Sequence, residues 1–225
     1  MENNHVSVWG RTLEEYQKMF GLGDIPTSTQ ILSIADGPST FNKQLRDKEI
    51  NIVSVDPIYE LSIDNLKEVF KQSYQFNKGL FYNNRENFLF KDDTEIEALL
   101  QKRQSTFNAF ITDYGLNKQY YKFGQLPTLD FATNSFDLCV SSNLLFIFDH
   151  IFDLTFHIQS VKEMLRVAKE LRIFPLYDIN GNESKNLKSV IEYLDQNNYQ
   201  WTIQTNDYYV YKDGNKFLQV FGSAD

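Results

Sequence analysis

Short apolar runs alternate along this chain with segments in which apolar residues recur every three or four positions. Ile31-Leu32-Ser33-Ile34-Ala35 is a compact run closed by Asp36-Gly37-Pro38-Ser39, the pattern of a buried strand ending in a turn. A helix is predicted over 40–48, with Phe41 and Leu45 inward, and Asn51-Ile52-Val53-Ser54-Val55 is a second buried strand closed by Asp56-Pro57. Strand, helix and strand within about thirty residues make a βαβ unit, which pairs its strands in parallel with a right-handed crossover. Upstream, Thr12 and Glu15 bracket a capping box, Leu13, Tyr16, Met19 and Phe20 follow at helical spacing, and Gly21 and Gly23 stop the helix.

From Pro57 to Lys118 the period is helical. Ile63, Leu66, Val69 and Phe70 share one face. Ile96, Leu99, Leu100, Arg103, Phe107, Phe110 and Ile111 form the face of a long amphipathic helix, and 79–91 between them reads as irregular. Tyr120-Tyr121-Lys122-Phe123 is a third strand and Phe136-Asp137-Leu138-Cys139-Val140 a fourth. Ile158, Val161, Met164, Leu165 and Ala168 mark a helix, and Leu171 to Leu176 a fifth strand that Pro175 helps to end. Leu187, Val190, Ile191 and Leu194 mark a last helix. The tail from Tyr199 to Phe221 alternates like a hairpin turning at Asp213-Gly214-Asn215. The whole is an α/β chain, and 225 residues are enough for one well-buried domain over 1–225. Within it, 1–30 form an N-terminal helical cap and 57–118 a helical insertion over the edge of the sheet where a ligand binds.

Charge and composition remove several function classes. The net charge is −8 without a basic cluster, so nucleic acid is not the expected partner. Cys139, the single cysteine, lies in an apolar run and reads as a buried thiol. The first ten residues carry no signal-peptide pattern, and 136–148 is too short and too polar to span a bilayer, so the cytoplasm is the expected location. His5, His150 and His157 form no metal-ligand spacing. His150 reads as a solvated loop residue, His157 as a capping or packing residue at a helix start, and Asp92-Asp93 as a solvated helix start.

In open parallel sheets, ligands bind beyond the carboxyl ends of the strands. Gly37 follows the first strand, where a missing side chain lets a ligand approach the backbone. Asp56 ends the second strand nineteen residues later, in position to accept hydrogen bonds from a ribose diol. The turn lacks two of the three glycines of a dinucleotide fingerprint, and Asp36 would repel a pyrophosphate. The turn therefore fits a cofactor without phosphates, and an adenosine bearing an amino acid is the natural candidate, with Asp36 facing its ammonium or serving as a simple helix cap. Tyr59, just past Asp56, reads either as a surface aromatic or as a residue that reaches substrate.

These segments resemble the class I S-adenosylmethionine-dependent methyltransferases. Ile31 to Phe41 is similar to their first motif, 51–56 to their second acidic strand end, and 129–138 to the segment leading into their fourth strand. More narrowly, the chain resembles uncharacterised bacterial methyltransferase-like proteins through Tyr16, Met19 and Phe20, the Gly-Pro-Ser-x-Phe turn, Phe156-His157, Glu163 to Val167, Arg172 to Leu176 and Gly214-Asn215. The resemblance implies a Rossmann-like sheet of seven strands, the last antiparallel, with helices on both faces. It implies methyl transfer from S-adenosylmethionine, with S-adenosylhomocysteine as product, to a small-molecule acceptor. Ala35, Asp36, Gly37, Pro38 and Ser39 are expected to wrap the methionine part, and Asp56 to hold the ribose. Pro57, Ile58, Gln125 and Leu126 are expected beside the adenine, and Ser142 and Asn143 on the floor near the sulfonium. Tyr16 and Phe20 are read as aromatics over the sulfonium cation, although the same rings suffice to dock the helix on the core. Ser33, Ala35, Ser39 and Gln125 depart from the family pattern. They keep a second reading open, a non-catalytic binding or scaffold protein, beside a third, a nucleotide-sugar or dinucleotide enzyme.

Overall fold

The computed structural model describes residues 6–208, 210 and 214–222. Its strands are β1 (Gln30–Ile34), β2 (Asn51–Val55), β3 (Tyr121–Lys122), β4 (Phe136–Ser142), β5 (Ala168–Phe174), β6 (Gln200–Thr205) and β7 (Lys216–Phe221). They form one sheet in the order β3-β2-β1-β4-β5-β7-β6. The first five pair in parallel, and β7 runs antiparallel to both β5 and β6. This is the seven-stranded, Rossmann-like arrangement with a reversed last strand. Strand order reverses between β1 and β4, which fixes the ligand crevice of such a sheet at their carboxyl ends.

The helices are α1 (Leu13–Phe20), α2 (Phe41–Arg46), α3 (Ile63–Asn83), α4 (Asp93–Leu116), α5 (Leu154–Val167) and α6 (Leu187–Gln196). Alternate strand residues face opposite layers. Ile31, Ile52, Leu138 and Val140 pack against α1 and α2. Leu32, Ile34, Cys139 and Ile173 pack against α5 and α6. Cys139 is fully buried, and burial pushes its thiol up. The Thr12–Glu15 capping box of α1 forms, and Gly21 closes that helix in the left-handed region at φ 59°. Among the described residues no helix is long and apolar enough to cross a membrane.

The boundaries differ from the sequence reading in three places. α3 continues through Asn83, so part of the segment expected to be irregular is helical. Its apolar period carries through Phe81, which packs on Phe88 and Phe90. Ala168 is the first residue of β5 and not the end of a helical face, because its backbone leaves α5 at φ −134° and pairs opposite Phe136. β6 and β7 pair as a hairpin, but their regular pairing stops at Thr205 and Lys216. The connection is thus longer than a tight turn, and Asp213 of the expected turn lies outside the described residues.

α4 is docked by charge as well as by apolar packing. Arg103 sits on its buried face and gives a two-pronged pair to Glu15 of α1, Nη1 to Oε2 at 2.8 Å and Nη2 to Oε1 at 2.6 Å. Burial alone would raise the Glu15 carboxyl, but the guanidinium and the Thr12 amide bring it down to about 2. Asp113, near the other end of α4, pairs with Arg46 of α2 and accepts the Tyr121 hydroxyl at 2.6 Å.

Candidate functional site

The turn after β1 takes the shape that Gly-rich motifs usually provide. Ala35 lies at φ 54° and Gly37 at φ 59°, both left-handed. Ala35 stands where the family pattern has glycine, at a cost of about 1–2 kcal/mol. Its N–H still donates to the Val55 carbonyl at 2.9 Å, so the strand pairing holds the strained residue in place.

Gly37 joins this turn to the end of β2. Its N–H donates to Asp56 Oδ2 at 2.9 Å, and its carbonyl accepts the Tyr59 hydroxyl at 2.7 Å. Tyr59 is therefore a buried clamp and not a surface aromatic, and it is off the cavity wall; its ring packs among Phe110, Tyr114 and Tyr121. The other Asp56 oxygen caps the 3-10 turn Pro57–Glu60 by accepting from Ile58 N at 3.0 Å. The Asp56 side chain is almost enclosed, at 8% exposure. Burial pushes its carboxyl up to about 6; the two amide hydrogen bonds oppose that rise and the nearby Asp36 adds to it. Each carboxylate oxygen retains a lone pair for a further donor.

A cavity of about 740 Å³ opens over this end of the sheet. Nine of the expected site residues line it: Ala35 and Gly37 from the turn, then Asp56, Pro57 and Ile58. Gln125 and Leu126 come from the loop after β3, and Ser142 and Asn143 from the end of β4. The remaining four, Tyr16, Asp36, Pro38 and Ser39, are not on its wall. Asp36 is turned under the motif, where its carboxylate accepts the Tyr16 hydroxyl at 2.6 Å and the Ser54 hydroxyl. Burial pushes this carboxyl up, and the hydroxyls around it moderate the rise. It faces no ligand space and caps no helix.

Tyr16 and Phe20 do not cover the cavity either. Both are fully buried, and Tyr16 stacks on Phe41 at 4.0 Å while its hydroxyl also meets Ser142 Oγ at 3.1 Å. The aromatics dock α1 and carry a polar support for the turn. Ser39 accepts the Phe41 amide and donates to the Arg11 carbonyl.

Several residues of the site carry no signal in a family motif. The segment before α1 forms one wall, through Val6, Val8, Trp9 and Arg11. α3 supplies Val69, Phe76, Asn77 and Leu80. The segment after β4 and the start of α5 supply Ile147, Phe148, Phe152 and Phe156, the last two stacked at 4.3 Å. Arg11 and Asp56 are the only ionisable side chains on the wall among the described residues. His150 is exposed and off the wall. His157 is buried, with Nδ1 2.7 Å from the Asp153 carbonyl and its ring against Phe146 and Phe156; it is a packing residue, and the cap of α5 is Asp153.

No protein-family model matches the chain. An uncharacterized protein of Methanocaldococcus jannaschii, MJ0045, is 31% identical over 215 residues, 94% of each chain. The chain is also similar to solved structures of low identity. The magnesium protoporphyrin IX methyltransferase of Synechocystis, crystallised with S-adenosylhomocysteine, superposes with a TM-score of 0.48 at 9% identity over 93% of both chains. A SAM-dependent methyltransferase of Methanosarcina mazei gives a TM-score of 0.46 at 14% identity, over 89% of this chain and 95% of its own.

Proposed function

The chain belongs to the same family as the Methanocaldococcus protein, and we propose that it is an S-adenosylmethionine-dependent methyltransferase acting on a small apolar acceptor. The observation that carries the reading is Asp56. A nearly enclosed carboxylate stands at the end of β2, fixed by two backbone amides, and opens onto a cavity at the switch point of the sheet. Such a group accepts hydrogen bonds from a vicinal diol in fixed geometry.

The surrounding residues fit an adenosine that bears an amino acid. Pro57, Ile58, Gln125 and Leu126 offer an apolar slot with one amide for the base, and Ala35 and Gly37 present backbone at the turn. The turn lacks two of the three glycines of a dinucleotide fingerprint, which argues against a dinucleotide. The left-handed backbone at Ala35 preserves the motif's shape despite the lost glycine, which supports retained binding over a degenerate scaffold.

When bound, the cofactor supplies an electrophilic methyl on a sulfonium, and what the protein adds is alignment and exclusion of water. Ser142 and Asn143 form the floor, and Asn143 holds its left-handed backbone at φ 55° with its N–H on the Phe174 carbonyl at 2.7 Å. The rest of the cavity, between α3 and the start of α5, is apolar apart from Asn77 and suits a small hydrophobic acceptor. Calorimetric titration of S-adenosylmethionine and S-adenosylhomocysteine tests the reading, with Asp56→Ala as control. Micromolar binding that collapses in the variant is expected, and a screen of apolar acceptors follows. A wild-type protein of intact circular dichroism that binds neither nucleoside would sink it.

A further inference from the structure

Residues 6–11 cross the motif turn as a strap, and its position is fixed at several points. The Arg11 carbonyl accepts from Thr40 N at 3.0 Å and from Ser39 Oγ at 2.5 Å, at the start of α2. Val8 N donates to Ser73 Oγ of α3 at 2.9 Å. At Gly10 the strap lies so close to the turn that a Cβ would stand 1.9 Å from the Pro38 carbonyl oxygen. The Arg11 backbone is thus placed beside the first motif with little freedom, and its side chain reaches the cavity wall.

The guanidinium there has donors to spare. Nη1 donates to the Trp9 carbonyl at 3.2 Å, whereas the buried Nε has no partner among the described residues. A buried donor without an acceptor is costly, and an arginine fork matches a carboxylate with two parallel hydrogen bonds. The cavity therefore carries one anion, at the end of β2, and one cation, at the strap, with the Ala35–Gly37 turn beside both. A ligand with a diol in its middle and a carboxylate at its far end complements that pair of charges.

We propose that the Arg11 guanidinium anchors the α-carboxylate of an amino-acid-bearing nucleoside, the methionine end of the cofactor. The assignment rests on the methyltransferase reading. It gives the strap a binding role and moves recognition of the amino acid's charge from Asp36 to Arg11. Calorimetric titration of S-adenosylhomocysteine and of 5′-methylthioadenosine, which keeps the base and ribose but lacks the carboxylate, tests it on the wild type, Arg11→Ala and Arg11→Lys. Arg11→Ala is expected to weaken S-adenosylhomocysteine by about tenfold to a hundredfold. It should leave 5′-methylthioadenosine unchanged, and Arg11→Lys should fall between. Circular dichroism and melting of each variant report the fold. Equal losses for both ligands would make Arg11 a structural strut and overturn the proposal, as would no loss for either. A wild type that binds neither ligand would take down the methyltransferase reading itself.

Discussion

Replacing Asp56 by Asn should make the protein more stable at neutral pH and less able to bind the nucleoside proposed for its cavity. The carboxyl is pushed from 3.8 to about 6, chiefly by burial. A carboxyl raised in the folded state favours folding most when it is protonated. That stability is complete below the unfolded value near 3.8 and is lost as pH rises through about 6. At about 1.4 kcal/mol per pKa unit, the ionised form at pH 7.5 costs about 3 kcal/mol relative to the protonated form. Asn is neutral and escapes this cost, but its NH2 must face Gly37 N or Ile58 N and forfeits that hydrogen bond, about 1 kcal/mol, so the net gain is about 2 kcal/mol and about 3 kcal/mol is its upper bound. In a chain of this size about 1 kcal/mol moves Tm by about 2–4 °C. In urea and thermal unfolding Asp56→Asn should therefore gain several degrees on the wild type between pH 4 and pH 7.5. The same substitution replaces one acceptor oxygen by a donor, and charged hydrogen bonds are worth about 1.5–3 kcal/mol each. Affinity for S-adenosylhomocysteine at pH 7.5 should then fall by at least about tenfold. A variant less stable than wild type at pH 7.5, with the same deficit at pH 4, would show that burial of the charge is not what perturbs this group.

Four further outcomes follow from the same geometry. Arg103→Met removes the two-pronged partner of the buried Glu15 carboxylate and should cost up to about 3–5 kcal/mol in urea unfolding, only part of it recovered by the double variant with Glu15→Leu, which also loses the capping box of α1. Because Glu15 is held at about 2 against an ordinary 4.5, its contribution, about 3 kcal/mol, is complete above pH 4.5 and lost as pH falls through 2; acid unfolding of Glu15→Gln should lack that component. Ala35→Gly relieves the left-handed strain but loosens the unfolded chain, so unfolding should show a net change between about zero and 1 kcal/mol in favour of Gly, with S-adenosylhomocysteine affinity retained. Gly10→Ala drives a methyl into the Pro38 carbonyl and should lower stability by about 1–3 kcal/mol, and calorimetry should show weakened nucleoside binding as the strap shifts.

The strands and the acidic end of β2 were legible because they depend on short-range pattern. A run such as Ile31 to Ala35 is apolar on both faces, and a buried parallel strand is one of few structures that satisfies it. The capping box of α1 is equally local: Thr12 and Glu15 satisfy one another within a single turn. Arg103 left a trace, a charged residue within an apolar helical face, but its partner Glu15 lies 88 positions away and had already been read as a cap. One carboxylate serves both roles, which spacing cannot reveal.

By itself the sequence determined that alternating strands and helices form a parallel sheet, and that Gly37 and Asp56 meet at its carboxyl edge. Those facts follow from periodicity and from the steric rules of βαβ crossovers. The tertiary structure decided which polar groups face ligand space. Asp36 and Gly37 are neighbours in the chain, yet one carboxylate is turned inward onto Tyr16 and Ser54 while the next residue opens on the cavity. Arg11 and the apolar face of α3 reach the same cavity from distant segments. The direction of a side chain at a turn depends on the hydroxyls and amides that surround it, and these arrive from α1, β2 and β4 only once the chain has folded.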